Sequence, residues 1–132
     1  MAAFDLDALP PEVTSFLTER HLGTLTVLAP DGGPRVTPVG FTYDPERRLA
    51  RVITWASSWK AQHVAAGHDP RAAIGSVDGG RWLTIYGAAR VADGPESVEE
   101  GVRRYAQRYR QPKERSDRVV IEIEVDKIVG RA

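Results

Sequence analysis

Residues 22–56 read LGTLTVLAPDGGPRVTPVGFTYDPERRLARVITWA, and the spacing of turns within them decides the fold. Leu22 to Leu28 is a strand-like run that stops at Pro30-Asp31-Gly32-Gly33-Pro34, a strong turn signal. Arg35 to Tyr43 alternates, with Val39, Phe41 and Tyr43 on one side, and stops at Asp44-Pro45. Leu49 to Ala56 alternates again, setting Leu49, Arg51, Ile53 and Trp55 against Val52, Thr54 and Ala56. Connections this short leave no room for a crossover helix, so the three runs are expected to be antiparallel neighbours.

Working outward, Leu9 to Arg20 is expected to be a short amphipathic helix, with Pro10 and Pro11 in its first turn and Val13, Phe16 and Leu17 on its buried face. Ser57 to Ala66 reads as a second helix, with Ser57 or Ser58 as N-cap and Gly67 just past its end. Arg71 to Val77 and Arg81 to Val91 form a hairpin around Asp78-Gly79-Gly80. A third helix runs from Pro95 to about Arg110, with Val98, Val102, Tyr105 and Tyr109 as its predicted buried stripe. Arg118 to Val129 closes the chain as a strand. The expectation is one mainly β domain with short helices (α+β), spanning residues 1–132, its six antiparallel strands rolled into a small barrel.

Composition removes several function classes. Eighteen Lys and Arg balance 18 Asp and Glu, so no chain-wide pull toward nucleic acid or an anionic membrane exists. The chain has no cysteine, which excludes disulfides, thiolate nucleophiles and cysteine zinc sites. No apolar run is long enough for a membrane span, and the acidic, proline-bearing N-terminus is unlike a signal peptide. A cytoplasmic protein is the expectation. His21, His63 and His68 lack metal-ligand spacing, so no metal is expected, and no nucleophile-elbow motif marks a hydrolase.

The chemistry concentrates in Arg51-Val52-Ile53-Thr54-Trp55-Ala56-Ser57-Ser58-Trp59-Lys60. Here a strand ends, hydroxyl residues follow, and a helix opens with a lysine in its first turn. Helix N-termini favour anions, and a cation there is unfavourable unless something negative is near. Arg51, Thr54, Ser57, Ser58 and Lys60 therefore fit an anion site. A second reading stands beside it, in which Ser57 only caps the helix and Lys60 points into water.

The chain resembles the split β-barrel, FMN-binding-like flavin and deazaflavin proteins of the pyridoxamine-phosphate-oxidase-like superfamily. Within it the chain is similar to the branch that uses coenzyme F420, a deazaflavin, and in particular to the F420-dependent biliverdin reductases. The resemblance runs from Leu17 to Val129. It rests on Leu22-Gly23-Thr24-Leu25, Val39-Gly40-Phe41-Thr42-Tyr43, Arg51-Val52-Ile53-Thr54 with Ser58 and Lys60, Asp78 through Gly87, and Arg104 through Arg110. It implies a homodimer with cofactor sites at the subunit interface. The cofactor phosphate would lie against Arg51, Thr54, Ser58 and Lys60, beside Ser57, and the ring against Val39, Val52 and Ile53. The partner subunit would close the site with Gly80, Arg81 and Trp82 and with Tyr105, Arg108 and Tyr109. Some relatives cover the ring with an aromatic residue on the last strand, whereas this chain ends Gly130-Arg131-Ala132, which leaves Trp55 or Trp59 for that task.

The implied activity is hydride transfer from reduced F420 to a conjugated acceptor such as a bilin, with the cofactor doing the hard chemistry. No residue stands out as proton donor, so no catalytic residue is assigned. An FMN-dependent oxidoreductase and a non-catalytic cofactor or haem carrier are the alternatives on the same barrel. The basic stretch containing Arg103, Arg104, Arg108, Arg110, Lys113, Arg115 and Arg118 reads either as a solvated helix face or as an attractor for the F420 tail or bilin propionates. Trp82 and Tyr86 share a strand face and read either as barrel packing or as a stacking platform.

Overall fold

Side-chain alternation lays down the sheet in the computed structural model, which describes residues 2–132. Strand β1 (Gly23–Leu28) buries Gly23, Leu25 and Val27 and exposes Thr24. It is followed by β2 (Pro34–Val39), β3 (Thr42–Asp44), β4 (Leu49–Trp55), β5 (Arg71–Asp78), β6 (Arg81–Ala92) and β7 (Arg118–Arg131). The sheet therefore has seven strands rather than the expected six. The run from Arg35 to Tyr43 is not one strand; it breaks at Gly40 and Phe41, between β2 and β3.

That break closes the architecture. The strand order is β2-β1-β5-β6-β7-β4-β3, with every pair antiparallel. The two edge strands, β2 and β3, are joined by Gly40 and Phe41 alone. Two residues reach only about 7 Å, so the sheet must roll until its edges nearly meet. No ladder joins β2 to β3 among the described residues, which makes the barrel a split one. The first three predicted runs thus pair as β1 with β2 and β3 with β4, while β2 and β3 sit at opposite edges.

Leu25, Val52, Ile74, Leu83, Ile85, Ile121 and Ile123 fill the barrel. Helix α1 (Pro11–Thr18) stoppers it with Val13, Phe16 and Leu17, and is shorter than expected because Pro10 and Glu19 have extended backbone. Helix α2 (Trp59–Ala66) starts at its Ser58 cap and ends at Gly67, whose φ of 69° is the left-handed conformation that glycine adopts freely. Helix α3 (Pro95–Arg108) covers the outer face of β4 and β7, so both faces of those strands are buried. Its buried residues are Gly101 and Arg108, whereas Val98, Val102, Tyr105 and Tyr109 are only half-buried. The helix meets the sheet through the glycine: a Cβ on Gly101 would lie 2.7 Å from Val120 Cγ2. None of the helices is long and apolar enough to cross a membrane.

Strand β6 bends where its register with β7 slips between Tyr86 and Gly87. A Cβ on Gly87 would stand 2.1 Å from the Glu124 carbonyl oxygen. Backbone cannot yield there without disturbing the ladder, so Gly87→Ala is expected to destabilise the fold by about 1–3 kcal/mol. A urea unfolding curve with a lowered midpoint and an unchanged slope is the expected readout.

Candidate cofactor-binding site

The corner between β4 and α2 is held by local hydroxyl chemistry. Ser58 Oγ accepts the Ala61 N–H at 3.3 Å and the Thr54 hydroxyl at 2.9 Å. Both side chains are buried, so they fix the angle at which α2 leaves the sheet. Beside this corner a cleft of about 200 Å3 opens where β2 ends and the barrel splits. Pro38, Val39 and Gly40 form one wall and Val52 through Trp55 the other, with Lys60, Tyr105, Pro112 and Arg118 completing it.

The cleft is electrostatically unbalanced. Lys60 forms no ion pair among the described residues, and its Nζ lies 5.1 Å from the centre of the Trp55 ring. Burial pushes the Lys60 ammonium below its ordinary pKa. Burial, with the Arg115 charge second, does the same to Arg118, whose Nη2 donates to the Lys113 carbonyl at 2.7 Å. Two cations that desolvation disfavours, close to the N-terminus of α2, form a place that an anion stabilises.

Val39, Val52, Ile53, Thr54 and Lys60 are brought together here, and Tyr105, expected to come from the partner subunit, lines the same chain's cleft. Ser58 lies behind them through Thr54, and Ser57 is exposed at the corner. Arg51 does not join them. It shares the outer face of β4 with Ile53 and Trp55 but lies under α3, where its Nη1 donates to Asp44 Oδ2 at 3.3 Å and Glu122 lies 4.0 Å away. Arg108 and Tyr109 also face elsewhere in this chain. Arg108 donates to the carbonyls of Phe16, Glu19 and Phe41. The Tyr109 hydroxyl donates to the His21 carbonyl at 2.6 Å and accepts the Phe41 N–H at 3.1 Å. Together they clasp the break between β2 and β3, with Gly40 packed against the Tyr105 and Tyr109 rings.

Gly80, Arg81 and Trp82 lie at the turn between β5 and β6 and line no part of the cleft in one chain. Arg81 binds Glu19 at 2.9 Å and Asp78 at 2.6 Å, and His21 Nε2 meets Glu19 at 2.7 Å. The fold thus supplies His21 with carboxylate neighbours that its sequence spacing did not reveal. Hydrogen bonds from Arg81 and His21 hold Glu19 down at about 2, from an ordinary 4.5. Glu100 is likewise held at about 2 by Arg103 and Arg104. Both folded values lie below the unfolded ones, so these groups favour folding above about pH 4.5 and lose that contribution as pH falls toward 2. Solvent screening keeps it small. Urea midpoints measured across this range are expected to fall on acidification, and less steeply in Glu19→Gln.

Sequence reasoning did not assign Pro38, Gly40, Pro112 and Arg118 to the cleft. Arg118 belonged to the basic stretch, and only the β4–β7 register, which pairs it with Trp55, brings it here. Half of the rest of that stretch is paired: Arg103 and Arg104 bind Glu100, and Arg115 binds Asp117. A separate, larger cavity of about 630 Å3, lined by Val98, Val102, residues 111–116 and Arg118, shares Pro112 and Arg118 with the cleft.

Residues 9–131 match the family model described as pyridoxamine 5′-phosphate oxidase. The chain belongs to this family. A pyridoxamine 5′-phosphate oxidase family member with an Arg51 turned away and a Lys60 left facing the cleft is thus at hand. The chain is 44% identical over 124 residues to the F420H2-dependent biliverdin reductase of Mycobacterium tuberculosis (strain CDC 1551 / Oshkosh), covering 94% of this chain and 89% of that protein. A solved structure described as an F420 reductase superposes with a TM-score of 0.72 at 22% identity, over 92% of this chain and 98% of the other. HutZ, the haem storage protein of Vibrio cholerae, superposes with a TM-score of 0.74 at 14% identity, over 92% and 93%. Both solved structures share the family's split-barrel fold with this chain.

Proposed function

We infer that the protein is an F420-dependent reductase of a conjugated acceptor, with a bilin such as biliverdin as the substrate class. The observation that carries this reading is the cleft at the β4–α2 corner, where Lys60 stands half-buried without a carboxylate beside an apolar wall of Val39, Val52 and Ile53. Lys60 and the N-terminus of α2 hold the cofactor phosphate, and the apolar wall receives the ring. Thr54 and Ser58 keep that wall and Lys60 in fixed relation by their mutual hydrogen bond. Reduced F420 supplies the hydride when bound. The relative's named activity and 44% identity support the choice of cofactor and acceptor.

The cleft of about 200 Å3 is below the roughly 300–1,000 Å3 of complete ligand pockets. A second copy completes it in this reading. The outer face of β2, β1, β5 and β6 exposes Leu22, Val36, Val77 and Tyr86, a suitable surface for the homodimer contact. Paired titrations test the proposal. Uptake of F420 in preference to FMN, followed by biliverdin-dependent oxidation of reduced F420, is expected. Tight FMN binding without F420 binding would transfer the site to a flavin enzyme, and binding without acceptor-dependent oxidation would leave a carrier.

A further inference from the structure

A second cavity, of about 220 Å3, opens between α1, β3 and α3 and shares no lining residue with the Lys60 cleft. Leu17 forms one wall, Thr42 and Tyr43 the floor, and Arg104, Gln107 and Arg108 the remaining side. Two polar groups there are not fully satisfied by the fold. Thr42 is 6% exposed, yet its Oγ1 has no hydrogen-bond partner. Buried hydroxyls are nearly always paired. Its register opposite Arg51 puts it on the outer face of the sheet, the face α3 covers.

The second feature is Arg108, 7% exposed, which donates only to main-chain carbonyls and has no carboxylate within 4.0 Å among the described residues. A guanidinium carries five N–H donors, so some remain after these three bonds. The neighbouring carboxylates are engaged by other cations. Arg51, Arg103 and Arg104 are matched by Asp44, Glu100 and Glu122. Glu19 is engaged by Arg81 and His21. Arg108 is left with main-chain carbonyls and the Phe41 ring, 4.5 Å away, and a buried charge with no counter-ion in contact is costly to keep.

We propose that this cavity binds the carboxylate of a small aliphatic acid. The carboxylate accepts from the Thr42 hydroxyl and from the remaining Arg108 N–H donors, and the hydrocarbon part lies against Leu17. A single negative charge matches the one guanidinium that contacts no carboxylate, whereas a phosphate monoester brings nearly two. At about 30 Å3 for each water of liquid, the 220 Å3 holds an acid of a few carbons.

Sodium butyrate is the probe, titrated into the full chain at constant ionic strength while amide 1H–15N spectra are recorded, with sodium chloride and sodium phosphate as comparison salts. Saturable shifts at the amides of Leu17, Thr42 and Gln107 are expected in the wild type and equally in Lys60→Ala. That second variant separates this site from the cofactor cleft, so either proposal can fail alone. In Thr42→Val the butyrate affinity is expected to fall about fivefold to tenfold, and in Thr42→Ser to return. The proposal is overturned by shifts that do not saturate, by shifts that chloride reproduces, by tighter phosphate binding at these residues, or by equal affinity in Thr42→Val. If Thr42→Val does not fold, the wild-type titration decides: saturable shifts at these amides support the site and their absence removes it.

Discussion

Lys60→Ala is expected to weaken F420 binding by about 1.5–3 kcal/mol, roughly tenfold to hundredfold in Kd, while leaving the fold intact. The magnitude is that of one charge-assisted hydrogen bond. The direction follows from the free protein, in which Lys60 is partly desolvated with no carboxylate to offset the loss of hydration. A bound phosphate restores that compensation, so the interaction is stronger in the complex than anything it replaces. For the same reason the unliganded variant is expected to unfold within about 0.5 kcal/mol of the wild type, since only the Lys60 contact over Trp55 is removed. Lys60→Arg keeps the charge and is expected to recover part of the affinity. An F420 titration that gives the same Kd for Lys60→Ala and wild type would remove Lys60 from the site and leave the α2 N-terminus without its main cation.

Asp44→Ala is expected to be the most damaging single change to stability, at about 3–5 kcal/mol, the range for breaking a buried ion pair from one side. The Asp44 carboxylate accepts from Arg51 Nη1 at 3.3 Å and pairs with Arg104 Nη2 at 3.1 Å. It also accepts the N–H groups of Glu46 and Arg47, which hold the turn between β3 and β4. Removing it leaves Arg51 2% exposed with only Glu122, 4.0 Å away, as a counter-charge. The orphaned Arg51 Nε shows that this network has no acceptor in reserve. Urea unfolding should show the loss directly, and Asp44→Asn should lose less, because the amide oxygen still accepts hydrogen bonds. If Asp44→Ala unfolded within about 1 kcal/mol of the wild type, Arg51 would have found other partners and the buried network would not be what holds α3 to the sheet.

Legibility tracked the range of the interactions involved. The β4–α2 corner could be read because capping is local: Ser58 sits three residues before the N–H it accepts, and Gly67 follows the last helical turn. The Asp78-Gly79-Gly80 hairpin was legible for the same reason, and Arg81 pairs with Asp78 across it. Arg51 shows the limit. Alternation placed it correctly with Leu49, Ile53 and Trp55, on the side opposite Val52 and Thr54. What no local pattern said is that α3 covers that side and that Asp44 waits there. The α3 stripe failed in a related way. Helical periodicity selects the apolar residues, but the closest approach to the sheet is set by the position without a side chain, Gly101.

By itself, then, the sequence determined the strands other than the Arg35–Tyr43 run, the hairpin pairing of β1 with β2 and of β5 with β6, and the Lys60 helix start, because hydrophobic periodicity and capping act within a few residues. Tertiary structure alone decided that the strand ending at Val39 breaks at Gly40 and re-enters the opposite edge of the sheet, which opens the cleft beside Lys60. It also decided which arginines face that cleft. Arg118 arrives through its register with Trp55, while Arg51 and Arg108 are drawn away by Asp44 and by main-chain carbonyls. A buried guanidinium goes where acceptors already stand, and those acceptors come from segments distant in sequence that only rolling the sheet brings together.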